Sequence, residues 1–331
     1  MRKTFLLWAV LFMAALSAKA DVAPTVMLHH NGNTTLFAWD HVQDAVDAAA
    51  NGDTIYLSNG QFSAFNVNKR IMVRGAGANT IIEGSCTISI SGSSPLTMPV
   101  LDAMVFTGSV SVTAASSQLT LRKCEMLDLN FTDSDFRDVK LIQCYIRGTL
   151  HLTQHVKEFN CFNTKIKTLL PYDYLTGDAH FVNCNIREIT NNITATFDNC
   201  VLRYCWAKVD GQSKYEVCLN SCKLNYCIYP VNGDCYYLDL GGTYSGTPGN
   251  YPFAWNPSVM FTGCYQVAIS ATNVVNYSSD SYLGMDGTRV GVYGGAYPYT
   301  LTPALPRVTN HSVSVDANTK KLNVKLTVTK D

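Results

Sequence analysis

Beyond its first 15 residues the chain has no apolar run long enough to cross a bilayer as a helix, so no later segment is a candidate span. It has no excess of either charge: 25 Lys and Arg stand against 25 Asp and Glu, which leaves no electrostatic footprint for nucleic acid. Gly-x-Ser-x-Gly, phosphate-loop and His-Glu-x-x-His motifs are all missing, which removes the common serine-hydrolase, nucleotide and zinc-peptidase signatures. Although there are 12 cysteines, none forms a Cys-x-x-Cys or a His/Cys cluster at zinc spacing. His151 and His155 are four apart, but in strand-like sequence. No metal or cofactor is called for.

What is present begins with a leader. Arg2 and Lys3 precede an apolar run from Phe5 to Ala15, and Ala18-Lys19-Ala20 matches a small-residue cleavage site, so residues 1–20 are expected to be a secretory signal peptide. No cysteine follows that site, which argues against a lipid anchor. Cleavage would remove Arg2, Lys3 and Lys19 and leave 25 − 3 = 22 basic against 25 acidic residues. An exported or cell-surface protein follows as the expectation.

The body of the chain repeats. Ala179 to Ile189 reads Ala-His-Phe-Val-Asn-Cys-Asn-Ile-Arg-Glu-Ile, and related segments place Cys124, Cys144, Thr164, Cys184, Cys200, Cys222, Thr243 and Cys264 at one position. The intervals are 20, 20, 20, 16, 22, 21 and 21 residues. A unit this short cannot bury its own apolar face and must stack on its neighbours. Equivalent residues then form ladders, such as Leu121, Leu141, Cys161, Phe181, Phe197, Leu219, Leu240 and Phe261. Just before the marker stand Lys123, Gln143, Asn163, Asn183, Asn199, Ser221, Gly242 and Gly263. Asn and Gly there suit the left-handed backbone of a tight corner. Cysteines sharing an inward site behave as small hydrophobes, although a neighbouring-coil pair such as Cys205 with Cys227 lies within disulfide reach.

The stretch from residue 40 to 84 supplies the start of the stack. Val42, Ala45, Val46 and Ala49 have helical spacing, with Asp40 as an expected cap, Gln43 three later and Asn51-Gly52 as the stop. Then follow Asp53-Thr-Ile-Tyr-Leu, Gly60-Gln-Phe62, Lys69-Arg-Ile-Met-Val-Arg-Gly-Ala-Gly77 and Thr80-Ile-Ile-Glu-Gly84. This opening resembles that of right-handed parallel β-helix proteins of the pectin lyase-like superfamily, and the Phe-x-Asn-Cys-x-Ile rungs extend the resemblance to about Tyr265. The resemblance implies an all-β, single-stranded right-handed solenoid with a short capping helix. It does not fix an activity, because one fold hosts many. Its lyases cluster calcium-binding acids beside an arginine and its hydrolases pair aspartates on adjacent strands, and neither pattern is found here. A leucine-rich repeat has a similar period, but the linking segments Leu127–Asp135, Arg147–Thr153 and Arg187–Thr194 lack a helical face.

The β-helix is expected to span 21–306, with long insertions at Ser245–Asn256 and Ala271–Thr288 as candidate binding loops, the first carrying Trp255. Residues 307–331 read as a terminal β-hairpin turning at Asp316–Lys321.

Stacking also lets outward columns be written down. Three after the marker come Arg147, Lys167, Arg187 and Arg203, with Lys165 near the same edge and Tyr204 and Tyr226 one position on. Cations about 4.8 Å apart repel, by roughly 1 kcal/mol per neighbouring pair in water. A carboxylated or sulfated polysaccharide would relieve that repulsion, with the tyrosines as stacking faces. His180 is placed to approach Asp198 diagonally, and Asp239 is the only further acid in these columns. The expected protein is therefore a monomeric, non-catalytic binder or adhesin for acidic polysaccharide. A polysaccharide lyase or glycoside hydrolase built on His180, Asp198 and Asp239 is the alternative, and a structural spacer the third.

Overall fold

The computed structural model describes residues 23–90, 100–113, 119–132, 135–153, 155–171, 178–191, 193–208, 215–217, 222–230, 253–254, 260–267, 269, 273–302, 307–315 and 322–329. The chain forms a parallel β-solenoid in which most strands pair with their counterparts one coil on. One inward column runs Ile55, Val73, Leu101, Leu121, Leu141, Cys161, Phe181, Phe197 and Leu224, and its backbone register continues to Phe261. The side chains from Ile55 to Leu224 in this column are completely buried. The Phe181 and Phe197 rings stack with centroids 5.0 Å apart, and Phe159 leans on Phe181 at 5.5 Å. Each such ring contributes about 1.5–3 kcal/mol by leaving water. The links between strands are themselves strands, at Tyr145–Leu152, Lys165–Pro171 and Asn185–Ile189, so no helix bridges consecutive coils there.

Coils turn their sharpest corner at one residue apiece. Ala103, Lys123, Gln143, Asn163, Asn183, Asn199 and Tyr226 all have positive φ, between 47° at Asn163 and 58° at Ala103, and Gly263 follows at 60°. That column corrects the sequence register beyond Cys200. Leu224, not Leu219, stacks on Phe197, so the marker after Cys200 is Cys227 and the corner is Tyr226. Cys222 belongs to another position, and an insertion precedes this coil. The regular 22-residue step was a coincidence of cysteine spacing.

The cysteines at the corrected marker, Cys124, Cys144, Cys184, Cys200 and Cys227, are fully buried thiols. From Cys144 on, their S–H groups donate along the stack to carbonyls of the preceding coil, as in Cys200 to Phe181 O at 3.3 Å and Cys227 to Phe197 O at 3.2 Å, whereas Cys124 donates to Arg122 O in its own coil. Burial pushes the Cys144 thiol up to about 12, so it stays protonated and apolar. Cys205 pairs in register with Ile189, whereas Cys227 follows Cys200, so these two cysteines occupy different columns and the suggested Cys205–Cys227 bridge is not formed by stacking.

The first coil is closed by a hairpin as well as a helix. Thr25–His30 and Asn33–Ala38 pair antiparallel through Asn31 and Gly32, and the first of these strands also pairs with Thr54–Leu57. The helix spans Val42–Ala48 and buries Val42, Ala45 and Val46. Its N-cap is His41, without a side-chain capping bond, instead of the expected Asp40. Gln43 is occupied elsewhere, accepting from Asn66 N at 2.8 Å and so tying the helix to the next coil. At the other end Lys69 Nζ donates to the carbonyls of Val46, Asp47 and Ala49, which satisfies acceptors a helix end leaves open. Arg307–Val315 and Leu322–Thr329 form a separate two-stranded antiparallel sheet.

Candidate functional site

The corner column is covered. Residues 273–302 run back along the solenoid as a strap, and the corner side chains hold its backbone. Lys123 donates to Thr302 O at 2.6 Å, Gln143 to Pro298 O at 2.5 Å, and Asn163 Nδ2 to Val292 O and Gly294 O at 3.0 and 2.6 Å. Asn199 Oδ1 accepts from Met285 N at 2.9 Å. Two positions beyond the corner, Asn185 donates to Val274 O and Tyr277 O and accepts from Val292 N. The segment Ala271–Thr288, a candidate binding loop by sequence, is in its described part anchored to the solenoid. Val274 and Val290 bury against Val201 and Ile228.

This cover changes the basic column. Lys165 is only 6% exposed: its Nζ donates to Asn276 Oδ1 at 2.8 Å and Tyr293 OH at 3.0 Å and lies 4.1 Å from the Tyr299 ring centre. It clamps the strap and has no free face for a ligand. Arg203 is likewise 6% exposed. Arg147 pairs with Glu125 at 3.1 Å and donates to Phe106 O at 2.7 Å. Tyr226, expected as an outward stacking face, turns the corner and lies against Gly263, where an added Cβ would meet its ring at 2.9 Å. Lys167, exposed, and Arg187, half-buried, remain. They sit on consecutive coils between the register pairs Ile166–Ile186 and Thr168–Glu188. Neither makes an ion pair among the described residues, and the buried Nε of Arg187 has no hydrogen bond.

Across the corner lies an open sheet made by Val139–Ile142, Glu158–Phe162, Asp178–Val182, Ala195–Asp198 and Lys223–Asn225. Alternation turns Lys140, Asn160, His180, Thr196 and Lys223 outward in one column. The diagonal approach is present: His180 Nε2 meets Asp198 Oδ2 at 2.6 Å, and Asp198 Oδ1 accepts from Asn225 Nδ2 at 2.7 Å. The bond to Asp198 holds the His180 imidazolium above the ordinary 6.5, against partial burial. Burial alone would raise the Asp198 carboxyl, but its two donors outweigh it and hold the group below the usual 3.8. A groove of about 320 Å³ opens beside this pair, lined by Asp178, His180, Thr194, Thr196 and Lys223.

Asp178 and Lys223 were missed by the sequence columns. Lys223 was hidden by the slipped register, and Asp178 by starting each column at the following residues. Near the start of the same face, buried Asp102 accepts from Arg74 Nε at 2.7 Å and from Arg122 Nε and Nη2 at 2.8 and 2.7 Å. Asp239, Trp255, the Tyr204 side chain and residues 1–20 lie outside the described residues, as does most of Ser245–Asn256. No group of three or more His, Cys, Asp or Glu is arranged for a metal, and no helix is long and apolar enough to cross a membrane, among the described residues. No protein-family model, curated protein or solved structure matches the chain.

Proposed function

We propose that this is an exported, non-catalytic binding protein for acidic polysaccharide, held at the face bearing Lys167 and Arg187. The observation that carries it is a contrast in charge pairing. Arg74, Arg122, Lys140, Arg147, Lys157 and Arg289 each meet a carboxylate within the protein. Lys167 and Arg187, adjacent and of like sign, meet none among the described residues. Their repulsion is relieved by an anion from outside, and the rigid coil spacing suits repeated charges on an extended polymer. The resemblance of residues 40–84 to pectin lyase-like β-helices and the leader-like N-terminus support export and a glycan partner.

Retention on immobilised acidic polysaccharide tests it. The Lys167→Ser, Arg187→Ser double variant is expected to lose at least tenfold in affinity, and unchanged retention overturns the proposal. The alternative of a lyase or hydrolase is favoured by the His180–Asp198 pair. Incubation with a glycan panel, following unsaturated uronate absorbance and new reducing ends, separates it from binding alone. A protein inert in both assays is a structural spacer.

A further inference from the structure

The groove on the open sheet is chemically distinct from the Lys167–Arg187 face and lies across the strap-covered corner from it. Its donors stand in one column: His180, then Thr196 on the next coil, then Lys223 on the coil after that. With strands about 4.8 Å apart, His180 and Lys223 are roughly 10 Å apart and flank the Thr196 position. The Lys223 side chain is exposed and makes no ion pair or hydrogen bond among the described residues. His180 has spent Nε2 on Asp198, which leaves Nδ1 for another partner. Asp198 is itself satisfied by His180 and Asn225, so its charge is answered within the protein. Asp178, exposed and two residues before His180 on the same side of the strand, adds an acceptor at the rim.

We propose that this groove is a second ligand site, taking a polyhydroxy carboxylate about the size of one sugar unit. The carboxylate faces Lys223 and His180 Nδ1, and a hydroxyl of the ligand donates to Asp178. The groove is open to solvent, and its volume of about 320 Å³ matches a single sugar-sized molecule. Neutral sugars leave Lys223 without its counterion, and a bare oxyanion leaves Asp178 without a donor. The raised pKa of His180 favours the doubly protonated ring, so binding weakens as pH rises through it. The charged groups facing the imidazole are Asp178, Asp198 and Lys223.

The test is a titration of the full chain at pH 6 and fixed ionic strength with gluconate, glucose and sulfate, followed by the imidazole Cε1–H resonance that His180→Gln removes. Gluconate is expected to shift it saturably, with glucose and sulfate each at least tenfold weaker. Lys223→Met, an exposed substitution that leaves the amide spectrum dispersed, is expected to weaken gluconate at least tenfold. No saturable shift, or a Lys223→Met protein that titrates like the parent, overturns the site. Glucose or sulfate equal to gluconate overturns the assigned ligand class. The Lys167→Ser, Arg187→Ser variant keeps the gluconate response; if it loses it, the shift belongs to the other face and the groove proposal falls. That variant's polysaccharide retention is read separately, so either proposal can fail alone.

Discussion

The two regions beside the asparagine corner differ in what finishes their hydrogen bonds. On the corner itself, polar side chains of successive coils end on the backbone of residues 273–302, and Lys165 is enclosed by three tyrosines. On the open sheet, the equivalent outward column faces solvent at Asn160, Thr196 and Lys223, with His180 anchored to Asp198 and Lys140 to Asp138. Both are ladders of polar groups at one coil spacing. The first is consumed by stability and the second is left facing solvent. An outward column is therefore a surface only where no later segment of chain folds back over it.

Substitutions should separate the two sharply. Asn163→Ala is expected to have the largest effect, about 3 kcal/mol in urea unfolding, because it orphans Gly294 O, takes one of two donors from Val292 O, which keeps Tyr299 N, and places alanine at a φ of 47°. Lys165→Met follows at about 2 kcal/mol, since Asn276 and Tyr293 lose their donor and the rings their cation. In both variants limited proteolysis should open the strap near the exposed Met285 before the coils unfold. If they melt like the parent with an intact strap, the cover is not held by the corner.

A smaller effect is expected at the open face. The raised His180 pKa contributes stability that is whole below about 6.5 and is lost as pH rises through its folded value. The lowered Asp198 pKa contributes stability that is whole above about 3.8 and is lost as pH falls through its folded value. The pair thus supports the fold fully between about 4 and 6.5. With His180 40% exposed the swing is under about 1 kcal/mol. His180→Gln should flatten the alkaline limb of stability against pH, and an unaltered limb would show that the bond carries no linkage. Smallest of all, Lys167→Ser with Arg187→Ser should leave the midpoint within about 0.5 kcal/mol while changing retention on acidic polysaccharide. A large loss of stability instead would make these cations structural like Lys165.

Much of the solenoid is legible in the chain. The inward ladder from Leu121 to Phe197, the corner residues from Lys123 to Asn199, the early helix and the terminal hairpin follow from periodicity and from the few residue types that accept left-handed backbone. Legibility stops at Cys200. There the repeat skips to Leu224, and Cys222 imitates the marker at a plausible distance, so Tyr226 takes a surface role on paper and a corner in space. His180 meeting Asp198 could be anticipated because both lie on coils in true register. Lys223 could not, because it lies beyond the insertion.

By itself the amino-acid sequence determined that the coils stack and which side chains point inward, since period and polarity are local and repeat every turn. Only the tertiary structure decided which outward groups meet solvent. Lys165, Lys167 and Arg187 look alike in a column, yet Lys165 lies under a strap more than 100 residues further along the chain. Closing so long a loop leaves no periodic trace, because most contacts joining strap to corner are backbone carbonyls and N–H groups that any residue supplies.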